Sequence, residues 1–392
     1  MGDSRLAQYK VDAAGSAKRR SGANFIAWGQ RLSGQRMTVE KLLAVSGQRS
    51  DQYMAEAKVA AALACGSYWL VIGGGILNDI AQFGDNDYWN LNIRPVVERW
   101  TATGRQVILM TETGASSLTT TTQRGAVFKY NRQIRAYARS MRGVILFDAA
   151  AIVMNPANSA TPRTGYSTDG THIDMVAGGY TLGVAFAALI NQIVPPYNAL
   201  PKCIGEVYAN GGLQLFDNPV FLTTDSTAVG IITGTKPTGV TGATGPGGSS
   251  IVSSIAAGPY GNDWTLAITA GGAGNVIVSL PPTSPSYWGD GDTFYTTVEA
   301  AIASGHSNFQ GVCLHQEANS GTTTTNCDDG YVAAGAGNLL AGAYTGLVLE
   351  TDPFTIPAGA KSSGWYFSQL QFFFTAAGSA TVTLRRYAIW RP

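Results

Sequence analysis

The chain has 392 residues and a formal net charge of +1, which is longer than one hydrophobic core usually supports, so two domains are expected. Residues 1–200 carry 20 Lys and Arg against 13 Asp and Glu, whereas 201–392 carry 6 against 12, so a basic half precedes an acidic one. Neither half has the dense Lys/Arg clustering of a nucleic-acid binder, and that class of partner is excluded. Two uncharged runs, Val59 to Asn78 and Met175 to Pro201, are interrupted by Cys65-Gly66-Ser67 and Gly73-Gly74-Gly75, and by Asn191, Gln192 and Pro195-Pro196. They read as buried core elements, and no membrane span is expected. No signal peptide is read before Asp3-Ser4. Cys65, Cys203, Cys313 and Cys327 show no C-x-x-C spacing, so no metal and no cofactor are expected. A Cys313–Cys327 disulfide stays open, because the compartment is unknown.

In chain order, Gly2-Asp3-Ser4 comes first, and Ala23 to Leu32 sets Phe25, Ile26, Trp28 and Leu32 at helical spacing. Leu42 to Val45 reads as a short strand, followed by the turn Ser46-Gly47-Gln48-Arg49-Ser50 and a helix over 51–64. A buried strand from Tyr68 to Ile72 runs into a loop, Gly73 to Asp79, with a polar tip. A helix over Tyr88 to Thr101 precedes the strand Val107 to Thr111. Another over 123–141 precedes Val144 to Phe147, and the last spans 173–193. Strands separated by helix-length segments predict a parallel sheet with helices on both faces. Chemistry in such sheets collects at the carboxyl ends of the strands, so Ser46-Gly47, the loop up to Asn78, and Thr111 to Ser116 are expected to face one cleft.

The sequence Asp169-Gly170-Thr171-His172 holds the only histidine before His306 and His315. Imidazole is the side chain best suited to general-base work near neutral pH. An acid three residues earlier on a tight turn can reach Nδ1 and fix the tautomer. Taken alone, the same four residues also fit a surface turn capping the next helix.

Four pieces stand in one order: Gly2-Asp3-Ser4, Val45-Ser46-Gly47-Gln48, Gly75-Ile76-Leu77-Asn78-Asp79 and Asp169-Gly170-Thr171-His172. Together they resemble the four sequence blocks of the SGNH hydrolases, also called GDSL esterases and lipases, over about residues 1–197. The resemblance implies an α/β fold, a three-layer α/β/α sandwich with a parallel, flavodoxin-like sheet. It implies Ser4 as nucleophile, Asp169 and His172 as the rest of the triad, and an oxyanion hole from the amides of Ser4 and Gly47 and the side chain of Asn78. Two departures stand out. The family's third block is Gly-x-Asn-Asp, and Ile76-Leu77 here adds a residue before Asn78. The family's nucleophile turn also follows a central strand, and only Met1 stands before Gly2, so the expectation is a truncated reading frame or another segment filling that slot.

From about Leu200 the character shifts. Residues 198–210 read as a linker, and 211–392 as an all-β jelly roll or β-sandwich, with strands at Trp264 to Thr269, Val276 to Leu280, Gly346 to Glu350, Trp365 to Phe374 and Ala380 to Trp390. The stretch Gly239 to Gly247 reads as a mobile loop. The layout resembles the carbohydrate-binding-type modules that follow SGNH domains in some phage tail and secreted proteins. Trp264, Trp288, Trp365, Tyr366 and Trp390 are candidate sugar platforms, although such aromatics more often fill a core.

The leading expectation is a serine esterase that removes acetyl groups from a bacterial surface polysaccharide, with an acylated glycan or small ester as substrate. The alternatives are a lipid or small-ester hydrolase, and a catalytically inactive receptor-binding or structural virion protein. An extracellular or virion-associated setting is expected, with a homo-oligomer, trimeric in a phage fibre, in view.

Overall fold

The computed structural model describes all residues except 13–17, 74, 158–159, 197–199, 208–213, 283, 322–323, 331–338, 341 and 392. It divides into two compact units, one of Met1–Tyr9, Ala23–Gly29 and Met37–Ile193, the other of Lys10–Gly22, Gln30–Arg36 and Val194–Pro392. The chain therefore crosses between units more often than a single boundary near residue 197 allows. Both early segments belong with the later half because their partners lie there: strand Lys18–Arg20 lies against strand Thr324–Gly330, and in the second segment Gln35 donates to Val348 O at 2.6 Å and Arg36 to Val194 O at 3.0 Å. Of the expected linker, 198–199 and 208–210 lie outside the described residues.

The chain begins with α1 (Ser4–Ala7), the antiparallel pair β1 (Lys10–Asp12) and β2 (Lys18–Arg20) of the second unit, and α2 (Phe25–Leu32). The Asn24 side chain caps α2 by accepting from Ile26 N at 2.9 Å. The helix expected over 51–64 breaks at Met54-Ala55 into α3 (Ser50–Tyr53) and α4 (Glu56–Leu63). Next come β3 (Trp69–Ile72), α5 (Leu77–Phe83), a π-helical turn over Trp89–Ile93 that leads into α6 (Arg94–Thr101), and β4 (Gln106–Met110). The first unit closes with α7 (Thr121–Ser140), β5 (Val144–Phe147), α8 (Ala149–Val153) and α9 (Val176–Ile193). A reciprocal cap fixes the start of α7: Thr120 Oγ1 accepts from Gln123 N, and the Gln123 side chain accepts from Thr120 N, both at 3.2 Å.

Strands β3, β4 and β5 pair in that order, all parallel. Val107, Leu109 and Val144 face a core with Trp100, Val127 and Ile134 from α6 and α7. On the opposite face Phe147 stacks on Phe25 at 5.3 Å and meets Phe186 at 5.1 Å, which brings α2 and α9 over the sheet. Helices thus cover both faces in three layers. Helix α9 is long and apolar enough to cross a membrane, yet Leu182, Phe186 and Ile190 are buried within this unit.

Leu42 to Val45 form no strand, but Val45 N donates to Gly2 O and Gly73 N to Met1 O, each at 3.2 Å. Met1 and Gly2 thus lie between Val45 and the end of β3, so the sheet keeps the flavodoxin-like sequence of neighbours at its carboxyl end. They occupy the end of the slot where a strand was expected.

The second unit contains β6 (Thr224–Asp225), β7 (Ile232–Gly234), β8 (Lys236–Pro237), β9 (Gly242–Thr244), β10 (Ser250–Ala257), β11 (Asn262–Ala270) and β12 (Gly274–Ser279). It continues with β13 (Thr293–Ile302), β14 (Ser307–Asn319), β15 (Thr324–Gly330), β16 (Tyr344–Glu350), β17 (Phe354–Thr355), α10 (Ala360–Ser363) and β18 (Trp365–Trp390). Strand β9 falls in the stretch expected to be a mobile loop and pairs with β12. The two strands expected over 365–374 and 380–390 are one strand, whose first half lies between β12 and β14 and whose second half lies between β11 and β13. The halves face each other: Tyr387 Oη donates to Ser368 Oγ at 2.6 Å, and Phe294 of β13 stacks on Tyr366 at 5.7 Å. This is a mostly-β sandwich with β18 shared by both layers. In the β14–β15 ladder Cys313 pairs opposite Gly330 and Cys327 opposite Gln316, and the Cys327 side chain, on which the disulfide left open by the sequence depends, lies outside the described residues.

Candidate active site

The turn before α1 presents Ser4 as the first helical residue, because Asp3 Oδ1 caps the helix by accepting from Arg5 N at 3.0 Å. Ser4 Oγ lies 2.7 Å from His172 Nε2, across 168 positions of sequence. His172 Nδ1 lies 2.5 Å from Asp169 Oδ2. The other oxygen of Asp169 accepts from the backbone N–H groups of Thr171 and His172, both at 2.8 Å. One oxygen thus shapes the turn while the other orients the ring. Burial pushes the Asp169 carboxyl up, but the bonds from His172 and from the two backbone amides outweigh it and hold the group down at about 2. A carboxylate at Nδ1 assigns the proton of neutral imidazole to that nitrogen, leaving the Nε2 lone pair to accept from Ser4 O–H.

Glycine is required within that turn. Gly170 has φ +73, and a Cβ there would lie 2.1 Å from Ser116 Oγ. Its carbonyl accepts from Ser116 N at 2.8 Å, which ties the histidine turn to the loop after β4.

The second and third sequence blocks are also brought together. Asn78, second residue of α5, donates through Nδ2 to Gln48 O at 2.9 Å, beside Gly47. Asp79 accepts from Ser50 N at 2.9 Å and Ser50 Oγ at 2.7 Å, and burial raises its pKa. Gly47 is exposed with φ +77, and a Cβ there would meet nothing within 4 Å. Glycine serves the left-handed turn at that position. The Val45 N–H bond to Gly2 O seats this turn beside the one that carries Ser4.

A buried ionic group beneath Ser4 was not visible in the sequence. The Arg5 guanidinium spans Asp3, at 2.7 Å from Nη2 to Oδ2, and Glu112, with Nη2 at 2.9 Å from Oε2 and Nη1 paired to Oε1. Burial works against the guanidinium charge, and the two carboxylates overcome it and raise the Arg5 pKa. Asn131 brackets the Glu112 backbone, accepting from its N–H at 2.7 Å and donating to its carbonyl at 2.9 Å. Only Asp3, as part of the serine turn, carried a sequence signal.

The aromatic candidates of the second unit separate by strand face. Trp264 is fully buried on β11, donates to Ser253 Oγ at 2.7 Å and packs on Phe221. Tyr366 is buried and donates to Gln316 Oε1 at 2.7 Å. Neither can stack on a sugar, because both point between the sheets. Trp288 is half-buried with Lys361 Nζ 4.7 Å from its ring centroid, and Trp390 is half-buried and donates to Thr297 Oγ1. Trp365 is 40% exposed and stacks on Phe367 at 4.6 Å. Among the described residues, no group of three or more His, Cys, Asp and Glu side chains is placed to hold a metal ion.

No curated protein matches the sequence. Among solved structures, the chain is similar to a member of the lipolytic protein G-D-S-L family from Veillonella parvula, with 18% identity, 49% of this chain and 95% of that one covered, and a TM-score of 0.36. It is also similar to a GDSL-like lipase from Bacteroides thetaiotaomicron, at 22% identity, 38% and 72% coverage and a TM-score of 0.31. A family 11 carbohydrate-binding module from Clostridium thermocellum, in complex with a mixed-linked tetrasaccharide, is similar at 12% identity, with 38% and 88% coverage and a TM-score of 0.25. Residues 1–175 match the GDSL-like lipase/acylhydrolase family, a family of esterase- and lipase-type hydrolases. The match to the GDSL-like lipase/acylhydrolase family is thus carried by residues 1–175, and a mostly-β domain follows them.

Proposed function

We propose that the chain is a serine esterase that deacylates a glycan through an acyl-Ser4 intermediate. The continuous line from Ser4 Oγ to His172 to Asp169, at 2.7 and 2.5 Å, carries this reading. His172 Nε2 takes the Ser4 proton as Oγ adds to the ester carbonyl. The amides of Ser4 and Gly47 and the second N–H of the Asn78 side chain receive the oxyanion, and removal of one such donor costs on the order of 10²–10³ in rate. Collapse of the tetrahedral adduct breaks the ester C–O bond, and the departing alkoxide takes the proton from His172. Water then adds to the acyl-serine by the same proton transfers, releasing the acid and restoring Ser4.

The glycan part of the reading rests on the second domain. Trp365 offers an exposed aromatic face backed by Phe367, and on the same strand Gln369 and Gln371 are linked at 3.2 Å. Stacking on sugar C–H faces beside neutral amides suits an uncharged polyol. The test is acetate release from an O-acetylated polysaccharide. The reading expects release by the native chain and none by Ser4→Ala, with Trp365→Ala raising KM on the polymer while leaving a small aryl ester unaffected. Turnover of aryl esters without action on any acetylated polymer would leave a small-ester hydrolase instead.

A further inference from the structure

Glu112 takes no part in the proton relay, yet its carboxylate is bonded to more of the site than any other side chain described above. Its four acceptor positions are all taken. Oε1 accepts from Arg5 Nη1 and from Gly114 N at 3.3 Å, and Oε2 accepts from Arg5 Nη2 at 2.9 Å and from Ile76 N at 3.1 Å. Each donor leads to a different part of the site. Arg5 follows Ser4 directly. Ile76 precedes Asn78 by two residues, and Gly114 precedes by two the Ser116 amide that holds Gly170 O in the turn carrying His172. The Glu112 side chain is fully buried, and Asn131 fixes the backbone that carries it.

We infer that Glu112 is the positioning residue of this hydrolase, a single buried carboxylate that sets the serine turn, the Asn78 loop and the histidine turn at fixed mutual distances. This rests on the esterase reading. A carboxylate suits the task because it alone offers four acceptor directions and no donor. A glutamine of the same shape would turn an NH2 toward two of the four N–H groups and release one side of the junction. Arg5 would keep Asp3 as counter-ion, so the exchange leaves no unpaired guanidinium in the interior. Small misplacement of reacting groups costs up to about 10²-fold in rate, whereas ground-state binding of an ester that touches none of these residues is little altered.

The experiment compares the full chain with Glu112→Gln and Arg5→Lys, reading kcat and KM on an aryl acetate and the low-field proton resonance of the His172 Nδ1–H bond to Asp169. The expected result is a kcat lowered about 10- to 100-fold with KM within about threefold, and a shifted or broadened resonance, in both variants. A merely structural role would reduce the yield of folded protein while kcat per folded molecule and the resonance stayed as in the native chain, and that result overturns the proposal. Should Glu112→Gln not fold, Arg5→Lys keeps the charge, gives up the two-pronged bond, and decides the matter by the same readings. The resonance needs no substrate. A native chain inert to every ester would remove the esterase reading, while an unchanged resonance in Glu112→Gln would separately remove the positioning role.

Discussion

At the scale of single residues, one oxygen of Asp169 shapes the turn and the other orients the His172 ring, as the proposed esterase reading requires. Replacing Asp169 with Asn should lower kcat by about 10⁴-fold, as for a triad whose carboxylate is made neutral, with little change in KM. Steady-state kinetics on an aryl acetate checks this. Because the folded carboxyl is held at about 2, below the ordinary Asp value of 3.8, its contribution to stability is complete above about pH 4 and is lost as the pH falls toward 2. Denaturant titrations of the native chain and Asp169→Asn should therefore differ more at pH 5 than at pH 2. Any loss of activity on acidification from pH 7 to pH 4 belongs to another group, since Asp169 stays ionised throughout. The contact of Ser4, His172 and Asp169 was legible in the sequence because Asp169 and His172 are neighbours and Ser4 sits in a recognisable turn. Arg5 and Glu112 were not, since 107 positions separate them and nothing local marks either as half of a buried pair.

At the scale of elements, alternation along a strand decided which aromatic candidates survived. Trp365 and Tyr366 are consecutive on β18, so one had to enter the core as the other faced outward, and composition could not say which. The sequence reading also divided this stretch into two strands, Trp365 to Phe374 and Ala380 to Trp390. The structure keeps the chain extended there, because Gly378 pairs with Ala270 of β11, and Ser379 pairs with Thr269 of the same strand and with Ser307 of β14. The turns of the first domain give a sharper test. Ala at Gly47 meets only the left-handed backbone penalty, roughly 1–2 kcal/mol. Ala at Gly170 adds an overlap with Ser116. Thermal melts should show Gly170→Ala as clearly the less stable of the two, and kcat should fall in both, through the histidine turn in one and the Gly47 amide in the other.

Across the whole molecule, the change of composition near Leu200 correctly announced a mostly-β second half, while the interleaving of the two units was hidden. Residues 10–22 and 30–36 cluster with the later half through partners such as Val348, and contacts over such separations leave no trace in local pattern. A fragment ending at residue 193 should therefore express with lower soluble yield and a lower melting temperature than the full chain, because both segments lose those partners. Comparing the two forms side by side checks this. The central claim concerns the hydroxyl at the fourth residue, and the most direct test is mass spectrometry of the full chain treated with a serine-directed fluorophosphonate, beside His172→Ala. The account predicts one adduct, on the peptide containing Ser4, strongly reduced when His172 is replaced. An adduct on a different residue, or equal labelling of Ser4 without the imidazole, would contradict it.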